Sequence, residues 1–152
     1  MIELFSDSPD DTLAFGMRIS HFLEAGSVAA LYGTLGSGKT CFTKGIALAL
    51  GITENLTSPT YTIINEYPII SGAKGAGILY HIDAYRLNNE KDFEDIGGPE
   101  IINSNGIAVI EWSEKIQKSI AMNAINVSFT ITDSYSRSIK ITGLKADEEQ
   151  KF

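Results

Sequence analysis

The residues from Gly33 to Thr40 carry the clearest chemical pattern in the chain. They read Gly-Thr-Leu-Gly-Ser-Gly-Lys-Thr, which matches the phosphate-binding pattern G-x-x-x-x-G-K-[ST] at every fixed position. Glycines let successive backbone N–H groups converge on phosphate oxygens, and the N-terminus of a following helix adds partial positive charge. We expect Lys39 to neutralise the β and γ phosphates of a nucleotide and to face solvent before one binds. The alternative is a glycine-rich turn that contains a lysine by chance.

A phosphate-binding loop needs a second carboxylate anchor for Mg²⁺, besides the hydroxyl that Thr40 supplies. Two acids end apolar, strand-like runs: Asp83 closes Ile78–Asp83, and Glu111 follows the run at 107–110. Carboxylates at the ends of buried strands are typical metal ligands in such sites. For each acid taken alone, a capping or solvated role is an equally good interpretation.

Periodicity indicates the elements that position these residues. Ser8, Pro9 and two aspartates predict the start of a helix that Gly26 ends, and residues 27–32 form a short apolar run typical of a strand buried on both faces. A second amphipathic helix follows the loop and ends at Gly51. Residues 61–67 and 78–83 read as strands, and 88–104 as short helices. Apolar and polar residues alternate along 125–131 and 138–142, which indicates antiparallel strands with one solvent-exposed face.

Composition limits the class of protein. The chain has 152 residues, 43% of them hydrophobic, which suits a single domain over 1–152, with a solvated, flexible tail at 145–152. Its net charge of −7 disfavours binding to DNA or RNA on its own. One cysteine excludes an internal disulfide, and neither a signal peptide nor a membrane-spanning run is present in the sequence. We therefore expect a cytoplasmic protein with no membrane association.

Four blocks in order make the chain resemble the TsaE family of small ATPases. They are Gly33–Thr40, Ser58-Pro-Thr-Tyr61, His81-Ile-Asp-Ala-Tyr-Arg-Leu87 and Val109-Ile-Glu-Trp-Ser-Glu114. The resemblance implies a single P-loop α/β domain with a mainly parallel central sheet, antiparallel additions and flanking helices. It also implies Mg²⁺-dependent ATP hydrolysis that supports threonylcarbamoyl modification of adenosine 37 in tRNAs reading codons that begin with A. The implied partners are the TsaD and TsaB proteins, with tRNA contacted only through them.

The resemblance assigns roles residue by residue. Thr40 and Glu111 are expected to hold Mg²⁺, and Asp83, Thr60 and Lys39 to serve hydrolysis, with Thr60 sensing the γ-phosphate. The residues expected to contact ATP are Thr12, Thr34, Leu35, Gly36, Ser37, Gly38, Lys39, Thr40, Cys41, Trp112 and Arg137. Cys41 is interpreted as a small buried residue rather than a nucleophile, because no base lies near it in sequence.

Several alternatives stay open. Trp112 packs either beside the nucleotide or simply in the core, and His81 is favoured as a structural hydrogen-bonding residue over a catalytic one. Arg86 is interpreted as an ion-pair or partner contact rather than an arginine finger, and Tyr85 as a packing residue. Two other functions share these residue types: a small-molecule P-loop kinase, and a module that binds ATP to assemble a complex with negligible turnover.

Overall fold

The strands form one mixed sheet in a computed structural model, which describes residues 1–59 and 63–152. In chain order the strands in those ranges are β1 (Ile2–Ser6), β2 (Val28–Tyr32), β3 (Ile64–Pro68), β4 (Ile78–Asp83), β5 (Ile107–Glu111), β6 (Ile125–Ile131) and β7 (Arg137–Thr142). Across the sheet the order is β1-β7-β6-β2-β5-β4-β3. The central strands β6, β2, β5 and β4 run parallel, and the outer pairings are antiparallel. The predicted α/β fold class is confirmed.

Helices cover both faces of this sheet. They are α1 (Pro9–Ser20), α2 (Lys39–Ala49), α3 (Glu90–Asp95), α4 (Gly98–Ile102) and α5 (Ala146–Glu149), with a 3₁₀ helix at Ser113–Ser119. α1 begins as the sequence predicts, because the Ser8 side chain accepts a hydrogen bond from the Asp11 N–H and Pro9 occupies the first turn. No described helix is long and apolar enough to cross a membrane.

The buried side chains form two apolar clusters, one on each face of the sheet. Successive side chains of β2 and β5 point to opposite faces and so belong to different clusters. Ala29, Leu31 and Val109 belong to the cluster that includes residues of α1 and α2. Ala108 and Ile110 join the second cluster, to which α3 contributes the buried ring of Phe93. Because β2 and β5 are buried on both faces, both read as continuous apolar runs in the sequence.

Three features of the fold differ from the sequence-based predictions: the end of one helix, the presence of one strand and the orientation of one strand pairing. α1 ends at Ser20 rather than near Gly26, because the N–H groups of residues 21–23 bond to carbonyls three residues back and tighten the chain into turns. β1 was not predicted, although Ile2 and Leu4 pack on the core and Glu3 lies on the other face. β6 is antiparallel to β7 as expected, yet it is parallel to β2.

The C-terminal residues, predicted as a solvated, flexible tail, are mostly exposed but include a short helix and a terminal ring that packs on the domain. Residues Ala146–Glu149 form α5, and the Phe152 ring stacks on Phe22 with 5.9 Å between ring centroids. The Arg18 guanidinium lies 4.5 Å from the centre of the same Phe152 ring. The charged composition of this segment suggested solvation, but one terminal aromatic residue supplies enough apolar surface to fasten it.

Candidate nucleotide-binding site

The predicted site residues meet in a cleft at the carboxyl ends of the parallel strands. β2 leads into the Gly33–Thr40 loop, β4 ends at Asp83, and β5 ends at Glu111, whose Cα is in register with that of Asp83. Ligands of open α/β sheets bind at this edge, where the strands end and loops and helix N-termini converge. The cleft holds about 590 Å³, a volume within the usual range for small-ligand sites.

The backbone of the loop requires glycine at its bends. Gly33 has φ +151° and Gly38 has φ +108°, both in the region that residues with a Cβ rarely adopt. A Cβ at Gly33 would lie 2.6 Å from the Ser37 Oγ and 2.9 Å from the Phe129 carbonyl oxygen. Gly38 precedes α2, whose first turn has no side-chain cap. The N–H groups at that end of α2 are therefore suited to bind an anion.

Lys39 lies inside the loop rather than facing solvent, so that expectation was wrong. Its residue is 5% exposed, and Nζ donates to the Gly33 carbonyl at 2.6 Å and to the Thr34 carbonyl at 3.0 Å. Burial lowers the pKa of the Lys39 ammonium, and the nearby carboxylates, chiefly that of Glu111, partly offset this effect. The ammonium is enclosed because the loop turns back and brings the carbonyls at its start within hydrogen-bond distance of Lys39.

The Trp112 ring forms the opposite wall around this ammonium. Lys39 Nζ lies 4.1 Å from the centre of the indole, within the range of a cation–π contact. Trp112 has a left-handed backbone with φ +58°, which turns the chain directly after β5. The Tyr85 ring packs against the Trp112 ring, with 4.9 Å between their centroids. Trp112 thus packs beside the loop, in the cleft.

The two candidate carboxylates have different surroundings. Asp83 is half-buried, and both its oxygens are engaged: Ser58 Oγ donates to Oδ2 at 2.7 Å and the Tyr85 N–H donates to Oδ1 at 3.0 Å. Glu111 is 2% exposed, and its Oε1 has no hydrogen-bond partner among the described residues. His81 Nε2 lies 3.4 Å from this oxygen. A buried carboxylate of this kind is suited to a cation, because a charge removed from water must be compensated by positive groups nearby.

The far wall of the cleft comes from α1 and from the turn between β6 and β7. Thr12 is buried, and its hydroxyl lies 2.7 Å from the Ser6 hydroxyl. Arg137 donates from Nη2 to the Gly36 carbonyl at 3.1 Å, which ties the turn to the loop. Cys41 Sγ bonds to the Pro9 carbonyl, and burial raises the pKa of its thiol. A raised pKa fits the interpretation of Cys41 as an unreactive residue.

Most residues predicted from the sequence lie around this one cleft. The cleft is lined by Thr12, Leu35, Gly36, Ser37, Gly38, Lys39, Thr40, Cys41, Asp83, Glu111, Trp112 and Arg137. Thr34 takes part through the carbonyl that Lys39 binds. Thr60 lies outside the described residues. Arg86 is exposed after β4, and its predicted role stays a prediction.

Sequence reasoning missed four residues that also line the cleft: Ser6, Ser8, Pro9 and Tyr135. Ser8 and Pro9 are recognisable as a helix start, but nothing in that signal places the start of α1 beside the loop. Tyr135 lies in a polar turn with no motif, and it reaches the cleft only because β7 returns beside β6. Tyr85 was predicted as a packing residue; it packs on Trp112 and also lines the cleft.

Comparison with known proteins gives one consistent family. The family model "Threonylcarbamoyl adenosine biosynthesis protein TsaE" matches residues 6–139. A tRNA threonylcarbamoyladenosine biosynthesis protein TsaE from Treponema pallidum is 40% identical over 136 residues, covering 90% of this chain and 96% of that protein. The Nostoc protein of that name is 41% identical over 150 residues, covering 93% and 86%. The crystal structure of Bacillus subtilis YdiB matches with a TM-score of 0.77 and 30% identity, covering 98% of this chain and 89% of that one. This chain belongs to the TsaE family.

Proposed function

We propose that this chain is a Mg²⁺-dependent ATPase of the cytoplasm that acts in the biosynthesis of threonylcarbamoyladenosine in tRNA. The family supports the pathway, since the curated relatives carry the name tRNA threonylcarbamoyladenosine biosynthesis protein TsaE. The observation that supports ATP binding is the arrangement of residues in the cleft. It joins a glycine-bent loop, an uncapped helix N-terminus, a buried lysine and a buried carboxylate at one sheet edge.

The residues around the loop fit a nucleotide bound with a divalent cation. The N–H groups at the start of α2 and the Lys39 ammonium are the groups that would bind the phosphates. Thr40 and Glu111 would hold Mg²⁺, whose chemistry is to neutralise charge that develops on the phosphates. The burial of Glu111 supports this assignment, because the charge of a buried carboxylate gains a great deal from a cation.

Asp83 would orient the attacking water. In this structure Oδ2 accepts from Ser58 Oγ and Oδ1 accepts from the Tyr85 N–H. Each carboxylate oxygen keeps a further lone pair that can accept from a water molecule. We propose that TsaD and TsaB act as partners that stimulate turnover, and that turnover is slow without them. Three exposed apolar side chains at the mouth of the cleft support a docking partner there: Leu35 (84% exposed), Tyr85 (57%) and Tyr135 (81%).

The partners would also supply the contact with tRNA. The net charge of −7 makes this chain a poor binder of a phosphate backbone by itself. We therefore propose that this chain contacts tRNA only through the assembly and does not itself transfer the threonylcarbamoyl group.

The test separates the roles of the two carboxylates. In Glu111→Gln we expect ATP binding to require more Mg²⁺, because a metal ligand has lost its charge. In Asp83→Asn we expect Mg·ATP binding to stay nearly intact while partner-stimulated turnover falls about 10²–10⁴-fold, the usual worth of a positioned base. Mg²⁺ titrations at fixed ATP, and turnover with and without TsaD and TsaB, measure both effects.

Each other outcome has a definite meaning. If Asp83→Asn moves the Mg²⁺ midpoint and Glu111→Gln does not, the two roles are reversed. Tight ATP binding with negligible turnover even in the assembly would make the chain a nucleotide-gated module. Turnover that depends on a small acceptor molecule would instead make it a kinase. Absence of ATP binding would overturn the proposal as a whole.

A further inference from the structure

The strongest unexplained feature of the molecule is a buried histidine that the proposed chemistry does not use. His81 lies on β4 with no exposed surface, and neither ring nitrogen has a hydrogen-bond partner among the described residues. Its Nε2 is 3.4 Å from Glu111 Oε1, which is itself unpartnered. Buried polar side chains in native proteins are almost always paired, so two adjacent unpaired groups require an explanation.

The register of the sheet explains why these two groups meet. His81 is paired with Val109 on β5, and Asp83 is paired with Glu111, so His81 and Glu111 sit two residues apart along one face of neighbouring parallel strands. At 3.4 Å the two atoms are close but not aligned as a hydrogen bond, and a small rotation of the imidazole with an approach of about 0.5 Å would give ordinary hydrogen-bond geometry. A neutral imidazole with its proton on Nε2 would then donate to the carboxylate.

We propose that His81 is a positioning residue for Glu111. Its Nε2–H donates to Oε1, fixes the rotamer of the carboxylate and leaves Oε2 free to coordinate the cation in the cleft. Outer hydrogen bonds of this kind orient metal ligands in many sites, and their removal typically weakens metal affinity by about 10–100-fold. This inference rests on the proposed function, since it assigns His81 a role toward the Mg²⁺ that Glu111 would hold.

The first experiment needs neither metal nor nucleotide. The chain has two histidines, and His21 is exposed, so it provides an internal reference in the same spectrum. Imidazole ¹⁵N spectra of the whole chain, recorded at about pH 8 where a free imidazole is mostly neutral, report which nitrogen carries the proton. We expect His81 to carry it on Nε2, with a slowly exchanging proton whose shift changes in Glu111→Gln. An Nε2 that carries no proton would overturn the proposal.

The second experiment measures the consequence for the metal. In His81→Leu, which removes both nitrogens while filling much of the space, we expect the Mg²⁺ midpoint for ATP binding to rise about 10–100-fold. In His81→Gln, whose amide nitrogen can reach the position of Nε2, we expect the midpoint to return to within a few-fold of the natural chain. His21→Gln serves as the matched control and should leave the midpoint unchanged.

A purely structural role predicts a different pattern. Both His81 variants would then change thermal stability while leaving the Mg²⁺ midpoint where it was, and that result would overturn the proposal. A midpoint for His81→Gln as high as that of His81→Leu would also overturn it. If His81→Leu fails to fold, His81→Gln and the spectra of the natural chain still decide. If the natural chain binds ATP without needing Mg²⁺, the proposed function fails, whereas the spectra still judge the bond between His81 and Glu111.

Discussion

At the scale of single residues, the cleft combines a buried cation with a buried anion. Lys39 is bonded to two loop carbonyls and covered by the Trp112 ring, while Glu111 lies close enough to raise the pKa of the ammonium against the effect of burial. Charges that are shielded from water interact more strongly than surface charges. The loop therefore holds its lysine in place through two hydrogen bonds and a cation–π contact, and phosphate oxygens would compete with the loop carbonyls for the same donor.

The role of Lys39 is testable by two substitutions. Lys39→Ala should weaken ATP binding by about 10–100-fold, the equivalent of hydrogen bonds from a charged group. Because the side chain is buried against Trp112, we also expect the free energy of unfolding to fall by about 1–2 kcal/mol. Lys39→Met keeps most of the packing, so it should lose affinity to a similar degree with a smaller loss of stability. Calorimetric titration and urea unfolding measure both; unchanged affinity in both variants would contradict the proposed role.

Cys41 offers a test that depends on pH. Burial raises the pKa of its thiol, and the neighbouring Lys44 ammonium only partly counteracts this. The thiolate is the reactive form, so a raised pKa moves its appearance to higher pH. We expect the rate of alkylation by iodoacetamide, followed by mass spectrometry, to have its midpoint at a higher pH than a small free thiol measured alongside. The chain unfolded in urea is the control and should match the free thiol. A midpoint at or below the free thiol in the folded chain would refute the expected burial effect.

At the scale of elements, the approach of α1 to α2 sets one wall of the cleft. The two helices touch through backbone at two glycines: a Cβ on Gly16 would lie 2.0 Å from the Phe42 carbonyl oxygen, and one on Gly45 would lie 2.0 Å from the Leu13 carbonyl oxygen. Such an approach brings the start of α1, with Thr12, beside the phosphate-binding loop. The packing of the helix pair thus positions residues that no local motif connects.

Gly16→Ala should therefore destabilise the domain although alanine is the better helix former. Intrinsic propensity favours alanine over glycine by about 1 kcal/mol, but the added methyl group meets backbone atoms that cannot move without separating the helices. We expect a net loss of about 2–3 kcal/mol, in the upper range for overpacking, measured by urea unfolding. Gly77→Ala is the matched control, since no atom lies within 4 Å of its Cβ position. A neutral or stabilising Gly16→Ala would show that the helices lie farther apart.

At the scale of the whole molecule, the cleft and the C-terminal segment lie at opposite ends of α1. Pro9 and Thr12 at the start of α1 line the cleft, whereas Arg18 and the adjacent Phe22 contact Phe152. α1 has 12 residues, which corresponds to about 18 Å of helix. Stability contributed by the C-terminal segment is thus separated in space from the chemistry of the cleft.

Phe152→Ala should reduce stability without changing nucleotide affinity. The ring is half-buried, stacked on Phe22 and beneath a guanidinium, so we expect a loss of about 1–2 kcal/mol in the free energy of unfolding. Lys151→Ala is the control, because its ion pair with Asp147 is exposed and contributes little. Urea unfolding and calorimetric titration with Mg·ATP measure the two quantities. A large loss of ATP affinity in Phe152→Ala would show that the two ends of α1 are coupled.

The sequence by itself determined most of the residues that line the cleft and much of the framework that positions them. The loop pattern ending in Lys39 and Thr40 needs no tertiary information, because its residues are consecutive and their spacing is set by the phosphates they would bind. Apolar runs that end in Asp83 and Glu111 indicated both acids as candidate Mg²⁺ anchors at the ends of buried strands.

Only the tertiary structure decided how these groups are arranged. The enclosure of Lys39 under Trp112, the bond from Arg137 to the Gly36 carbonyl and the approach of His81 to Glu111 join residues far apart in the chain. Such contacts depend on strand order and register, and local periodicity records only which face a side chain takes. The fastening of the C-terminal segment by Phe152 has the same origin, because its partner Phe22 is 130 residues away by sequence number.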